Sequence, residues 1–303
     1  MSIKLTVGWR AWLAIFIGAS VFSCLPKDTR PPPSSVLVNV TPADSTVNGI
    51  ASTADGWSIS FDAFLVSLGG ISLQGSNCSN YSEARYLRVF NALVPGTQKL
   101  SESFGLGQCD FGFRVANPGD ESLLAIGVRP QDLTFMRTPG TDTYAGISGV
   151  SIFVQGHAQK QEVLKMFSWT FRQQLRYTEC ATGTDAGKVR GLSLSQDSGV
   201  TVNLELHGEA LFADNLQLAQ PNLRFTPLAD ADTVSGNDDG QITLDELSSV
   251  PLAELNGDGG YGAPVGGLGV GKTLEDYVYL GAFPSVVRFA DAGTCTVQVG
   301  HRD

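Results

Sequence analysis

The chain has 303 residues, of which 42% are hydrophobic, and its mean hydropathy is +0.03, which is enough to bury the core of one large domain or two smaller ones. Its 20 basic and 30 acidic residues give a net charge of −10, and this acidity argues against a nucleic-acid partner. An acidic surface is typical of an exported module and is compatible with cation binding.

The first 23 residues have the pattern of a secretion signal. Lys4 and Arg10 supply a basic start, and the apolar run Ala11–Ala19 follows them. Arg10 and Pro26 bracket an apolar stretch that is too short for a membrane-spanning helix, which needs about 20 residues. We therefore interpret residues 1–23 as a signal peptide that is removed on export.

The tetrapeptide Val21-Phe22-Ser23-Cys24 resembles the bacterial lipobox, although Phe22 replaces the usual small residue. The resemblance implies that Cys24 carries lipid and anchors the mature protein to the membrane. Residues 24–35 include Pro31-Pro32-Pro33, and this composition predicts an extended tether. Leu25 stands where lipoproteins retained in the inner membrane typically carry Asp, so the resemblance points to the outer membrane or cell surface.

From residue 36 to about residue 228, hydrophobic residues alternate with polar ones, as in strands that bury one face. Turns rich in Gly, Pro, Asn and Asp separate these runs. We predict a mainly β domain over residues 36–228, folded as an antiparallel β-sandwich or barrel. The clearest strand patterns are Val36–Val40, Trp57–Asp62, Tyr86–Phe90, Phe111–Phe113, Leu123–Val128, Val150–Gln155, Phe167–Arg172 and Val200–His207.

Four cysteines remain besides Cys24, namely Cys78, Cys109, Cys180 and Cys295. An even number in an oxidising compartment predicts two disulfides, for which three pairings are possible. We favour Cys78 with Cys109, which closes a local loop, and Cys180 with Cys295, which ties the C-terminus to the β domain. The chain lacks the C-x-x-C spacing of many zinc sites.

Residues 229–303 are predicted to hold an EF-hand-like loop, short helices and a closing strand, Thr294–Val299. Thr243-x-x-Glu246 and Thr273-x-x-Asp276 are both capping-box patterns, each of which predicts the start of a helix. The helical content is thus expected to be low and confined to the C-terminal part of the chain.

The acidic loop, Asp230–Glu246, follows in its second half the calcium-loop pattern D-x-[DN]-x-[DN]-G-x₅-E. Ca²⁺ takes about six to eight oxygen ligands, which this loop can supply around the turn at Gly240. The first position counts back to Ser235, so we assign Asp232 to it and treat Val234-Ser235-Gly236 as an insertion. The alternative is a solvated acidic loop before a capped helix. The predicted ligands are Asp232, Asn237, Asp239, Gln241, Thr243 and Glu246.

Two other patterns suggest chemistry. If their strands pair, His157, His207 and Glu205 meet as a transition-metal site, whereas otherwise they are solvent-facing polar residues. Gly266–Thr273 fits the phosphate-loop pattern G-x-x-x-x-G-K-T, but no strand precedes it, so we expect no nucleotide site. No nucleophile elbow or hydrolytic triad is recognisable, and we predict no catalytic residues.

Together with the lipobox, three C-terminal stretches resemble uncharacterised bacterial lipoproteins with a single C-terminal EF-hand-type calcium loop. These stretches are LHGEALFADNL (Leu206–Leu216), DGQITLDEL in the acidic loop, and TLEDY followed by GTCTV near the C-terminus. The resemblance implies a calcium-binding, lipid-anchored envelope protein with a structural, adhesive or ligand-binding role toward an unknown surface ligand or protein. The alternative is a periplasmic transition-metal-binding protein or a secreted enzyme.

Overall fold

A computed structural model of the chain describes residues 31–182, 189–218, 220–258, 261–262, 268–269, 271–290 and 293–300. From Pro32 onward the chain forms one compact unit. The signal peptide, Cys24 and residues 25–30 lie outside the described residues, so the lipid anchor stays a prediction. In the part of the chain that the structure describes, no helix has the length and apolar character needed to cross a membrane.

The protein is mainly β, as the alternating pattern predicts, with 49% of the described residues in strands and 19% in helices. The strands are β1 (Ser34–Pro42), β2 (Ser58–Gln74), β3 (Cys78–Ser82), β4 (Ala84–Asn91), β5 (Gln98–Val115), β6 (Leu123–Leu124), β7 (Gly140–Asp142), β8 (Gly146–Ser148), β9 (Ile152–Lys160), β10 (Val163–Phe171), β11 (Leu175–Thr182), β12 (Val189–Arg190), β13 (Leu192–Leu194), β14 (Gly199–Leu206), β15 (Gln241–Ile242), β16 (Val287–Phe289) and β17 (Thr294–Val299).

The α-helices are short: α1 (Asp44–Asn48), α2 (Pro130–Arg137), α3 (Thr226–Asp230), α4 (Leu244–Leu247) and α5 (Leu274–Asp276). Two of them continue in other helical forms, α3 as the π-helix Ala231–Ser235 and α5 as the π-helix Tyr277–Ala282 and the 3₁₀ turn Phe283–Ser285. Further 3₁₀ helices span Gly208–Phe212 and Leu252–Asp258. Thr243 and Thr273 cap α4 and α5 in capping boxes with Glu246 and Asp276, which confirms both predicted helix starts.

The strands form a large curled sheet whose main path runs β15-β10-β9-β2-β5-β1-β14-β16. Most neighbours are antiparallel, but β1 pairs with β14 in parallel, and β10 pairs with β15 in parallel. The prediction of a purely antiparallel arrangement was therefore too narrow. Alternation decides which face of a strand is buried, but it is silent about the partner and its direction.

The two longest strands, β2 and β5, explain how the sheet curls. The first half of β5 pairs with β1, β3 and β13, whereas its end pairs with β2 and β11. Strand twist carries such a long strand from one part of the sheet to another. In β2, the register shifts near Gly70, whose φ of +56° is left-handed and favours glycine.

One predicted strand is much shorter than its pattern. Leu123–Val128 forms a strand only at Leu123–Leu124, which pairs in parallel with β4. Gly127 has a φ of +81°, so the chain leaves the sheet there and turns toward α2. A turn within an apolar run cut this strand short.

The inward face of β10 forms the centre of the core. Phe167, Trp169 and Phe171 alternate along the strand and are fully buried, as predicted. The ring centroids of Phe212 and Phe225 lie 5.6 Å and 6.1 Å from that of Phe167. Because Phe212 and Phe225 pack on Phe167, the residues after 208 belong to the same core as the earlier strands. Burial of each such side chain contributes about 1.5–3 kcal/mol to stability.

Two disulfides close the structure, with the pairing favoured from the sequence. Cys78 bonds to Cys109 across β3 and β5, over a sequence separation of 31 residues. Cys180 bonds to Cys295 across β11 and β17, over a separation of 115 residues. The second bond fixes the last strand to the sheet.

Candidate functional site

The acidic loop lies against the first half of β10, where Met166 and Phe167 pair with β15. It follows α3 and the π-helix, passes through β15 and ends in α4. Ile242 of β15 is buried and pairs with Phe167, and the Trp169 indole donates a hydrogen bond to the Ile242 carbonyl at 3.0 Å. Ile242 therefore docks the loop on the sheet.

The carboxylate of Asp232 is the centre around which the acidic loop is folded. Asp232 is fully buried, and its oxygens Oδ1 and Oδ2 accept hydrogen bonds from the backbone N–H groups of Asp239 and Gly240, both at 3.1 Å. The Asp232 carbonyl accepts a third hydrogen bond from the N–H of Asp238, also at 3.1 Å. The loop between these residues is thus closed on Asp232 by hydrogen bonds from its own backbone.

A lysine balances the charge of Asp232. The Nζ atom of Lys165, on β10, lies 2.5 Å from Asp232 Oδ2 and 3.4 Å from Asp238 Oδ1. The Lys165 side chain is only 8% exposed, whereas that of Asp238 is 66% exposed. Burial lowers the pKa of Lys165, but the hydrogen bond and the charge of Asp232 outweigh burial and raise the pKa above its ordinary value. Lys165 is therefore a charged ammonium in contact with a buried carboxylate.

The other predicted ligands take part in hydrogen bonds within the acidic loop. Asn237 donates to Asp239 at 3.0 Å, and Asp239 accepts the backbone N–H of Gln241 at 2.8 Å. Glu246 Oε2 accepts the N–H of Thr243 at 2.8 Å, as part of the cap of α4. Among the described residues, no three Asp, Glu, His or Cys side chains are grouped to hold a metal ion. Calcium binding thus stays a prediction.

The carboxylate of Glu246 nevertheless borders the loop. A Cβ atom built on Gly236 would overlap Glu246 Oε1 and would approach the Asp232 carbonyl oxygen at 2.8 Å. The Glu246 carboxylate and the Asp232 backbone carbonyl therefore both lie close to this glycine. Only a residue without a side chain fits between them.

Lys165 is the site residue that the sequence analysis missed. A signal was available, because period-two alternation places Lys165 on the same face of β10 as Phe167 and Trp169. A charged residue on a buried face requires a partner of opposite charge. The partner, Asp232, lies 67 residues further along the chain, and strand patterns do not identify it.

The proposed histidine cluster is only half formed. His207 contacts Glu205, whereas His157 pairs with Asp62, with 3.2 Å between His157 Nδ1 and Asp62 Oδ2. In the sheet, β9 and β14 are separated by β2, β5 and β1, so the strand pairing that this site required does not occur. His157 and His207 therefore contact different carboxylates in different parts of the sheet.

Both ring nitrogens of His207 face carboxylates. Nδ1 lies 2.5 Å from Glu209 Oε1, and Nε2 lies 2.9 Å from Glu205 Oε2. Burial raises the pKa of Glu209, but the hydrogen bond and charge of His207 and a hydrogen bond from Ser45 outweigh burial and lower it. Both ring nitrogens of His207 are thus already engaged by carboxylate oxygens of Glu205 and Glu209.

A second polar cluster joins the β7–β8 hairpin to α5. The Tyr279 hydroxyl donates to Asp142 at 2.5 Å, the Tyr144 hydroxyl donates to Asp276 at 2.9 Å, and the two rings stack at 4.1 Å. Burial and the nearby charges of Asp245, Asp276 and Asp142 raise the pKa of Glu275, which is buried beside them. The sequence analysis recognised only the cap at Asp276.

The phosphate-loop pattern lies partly outside the described residues, which omit 263–267 and 270. Where the structure describes it, Lys272 donates its backbone N–H to Asp276 at 2.8 Å, and Thr273 caps α5. The end of the pattern thus serves as a helix cap.

Comparison of the chain with protein-family models, with curated proteins and with solved structures gives no match. The resemblance to bacterial lipoproteins therefore stays a prediction.

Proposed function

We propose that the protein is a non-enzymatic module of the bacterial cell envelope, exported by its N-terminal signal and held at the membrane by lipid on Cys24. Its role would be structural, adhesive or ligand-binding, toward a surface ligand or protein. The observation that carries the proposal is the pair of disulfides, since such bonds persist mainly in oxidising compartments. They leave Cys24 as the unpaired cysteine, available for lipid.

A structural role is supported by the use of charged groups in the described residues. Lys165 pairs with Asp232, His207 pairs with two glutamates, and Asp142 accepts from Tyr279. Each contact joins segments that are distant in sequence or fixes the end of a strand. These groups therefore act in holding the fold together.

The anchor is tested by expressing the full chain in a bacterium fed with a fatty-acid analogue, beside the variant Cys24→Ser. We expect wild type to be labelled and to lose its signal peptide, and Cys24→Ser to be unlabelled and to keep it. Mass spectrometry without reduction should find both disulfides. An unlabelled wild type with free thiols would contradict the proposal.

Calcium binding by an EF-hand-type loop is a second candidate function. The observation that favours it is that two oxygens of the loop, the Asp232 backbone carbonyl and Glu246 Oε1, both lie close to Gly236. A site of this kind stabilises the protein by about 2.7 kcal/mol when free Ca²⁺ is 100 times the Kd. Thermal melts of the full chain in detergent, in Ca²⁺, Mg²⁺ or EDTA, test it. A melting temperature raised by Ca²⁺ alone would support calcium binding.

A further inference from the structure

We propose that the ammonium group of Lys165 is the resident cation of the acidic loop, so that the loop folds around this side chain and without calcium. The inference rests on the second candidate function above, in which the acidic loop holds a cation. It assigns the role of that cation to Lys165 and not to a calcium ion from solution. It is independent of the lipid anchor.

The position of Nζ carries the argument. The 2.5 Å between Lys165 Nζ and Asp232 Oδ2 is within the range of about 2.3–2.6 Å that separates Ca²⁺ from its oxygen ligands. Asp238 Oδ1 lies 3.4 Å from the same nitrogen. The ammonium thus lies beside Asp232 Oδ2 at the distance that a metal ion bound to this oxygen would take, and a divalent cation at that position would be repelled by its positive charge.

The lysine is held there by the backbone. The next residue, Met166, donates its N–H to the Gly240 carbonyl at 2.8 Å, and Phe167 pairs with Ile242. The loop residues that enclose Asp232 are therefore bonded directly to the strand that carries Lys165. A calcium ion could reach Asp232 only if a side chain with 8% exposure left its place.

Asp232 depends on this partner. Its carboxylate is fully buried and ionised carboxylates need compensation in such a place, which two backbone N–H groups and one ammonium supply. Without Lys165, the buried Asp232 oxygen would lose its cationic partner, while Asp238 Oδ1 would remain on the solvent side. A divalent cation from solution could then replace the lost charge.

The test compares the wild type, Lys165→Met and the double variant Lys165→Met with Asp232→Asn, each melted in Ca²⁺, Mg²⁺ or EDTA. We expect one melting temperature for the wild type in all three solutions. Lys165→Met should melt lower in EDTA, recover in millimolar Ca²⁺, and bind Ca²⁺ at least about tenfold more tightly than wild type in calorimetry. The double variant, with both charges removed, should be more stable than Lys165→Met in EDTA and unresponsive to Ca²⁺.

Three results would overturn the inference. One is a wild type that Ca²⁺ stabilises as strongly as it stabilises Lys165→Met, which would support calcium binding yet contradict a resident lysine. Another is a Lys165→Met protein that keeps wild-type stability or ignores Ca²⁺. If Lys165→Met does not fold, the double variant decides, because failure of that protein as well would show that the charge pair is not what Lys165 contributes. The anchor experiment at Cys24 is unaffected by any of these results.

Discussion

Along β10, the buried face changes from aromatic to charged between Phe167 and Lys165. The aromatic part belongs to the sheet core, where burial is non-directional and is shared by many neighbours. The charged part belongs to the acidic loop, where one carboxylate is satisfied by one ammonium and two backbone N–H groups. The core should therefore tolerate changes of shape, whereas the loop should be sensitive to the loss of a single charge.

The largest effect is expected from the disulfide that joins the last strand to the sheet. In the chain-entropy model, opening Cys180–Cys295 costs about 5 kcal/mol and opening Cys78–Cys109 costs about 4 kcal/mol, because the first closes the longer loop. We expect the paired Ala variants, Cys180→Ala with Cys295→Ala and Cys78→Ala with Cys109→Ala, to differ in this order. Urea unfolding of the two variants measures the difference, and equal losses would contradict the entropic ranking.

Trp169 lies at the boundary between the two regions, since its ring is in the core and its indole N–H bonds to the Ile242 carbonyl. Trp169→Ala should lower the free energy of unfolding by about 3–5 kcal/mol through the cavity that it leaves. Trp169→Phe is the matched control, and it should lose about 1–3 kcal/mol, mainly for the unpaired carbonyl. Equal losses in urea unfolding would mean that the hydrogen bond, and not packing, holds this boundary.

Asp55, which precedes β2, contacts the start of α3, the helix that leads into the acidic loop. Its carboxylate accepts the backbone N–H groups of Phe225 at 2.9 Å and Thr226 at 2.6 Å. Burial raises the pKa of Asp55, but hydrogen bonds from Thr53, Thr226 and Phe225 outweigh burial and lower it. This stabilisation is therefore complete above the unfolded pKa of about 3.9 and is lost as pH falls through the lower folded pKa.

We expect Asp55→Asn to lose about 1–2 kcal/mol at pH 7, and to lose less further stability than wild type below about pH 4. Urea unfolding across pH measures both effects. Glu121→Gln, a change at an exposed carboxylate, is the control and should follow the wild-type pH profile. A parallel pH profile for Asp55→Asn would show that other carboxylates dominate the acid response.

The smallest effect is expected at Glu246, whose carboxylate caps α4. Glu246→Gln should lower stability by about 0.5–1 kcal/mol, because the amide keeps the oxygen but loses the charge at the helix start. If Lys165 is the resident cation, the loss should be the same in Ca²⁺ and in EDTA. Thermal melts compare it with Glu254→Gln, an exposed change, and a loss seen only in Ca²⁺ would place calcium at Glu246.

Several features could be predicted because their causes are local. The faces of β10 and β14 follow from alternation, and the capping box at Thr243 requires only residues within one turn of the helix. The disulfide pairing was also favoured correctly, since so few pairings were possible. The spacing of the acidic loop predicted Asp232 as a metal ligand, whereas its contact with Lys165 followed from no local pattern.

The sequence by itself determined where several of the strands lie, which faces of β10 and β14 are buried and which residues cap α4 and α5. Only the tertiary structure decided that β1 and β14 run parallel, that His157 and His207 stay apart, and that Asp232 meets Lys165. Alternation and capping act between residues a few positions apart, whereas an ion pair across 67 residues depends on how β10 and β15 are aligned. That alignment is set by packing over the whole sheet, which no local pattern records.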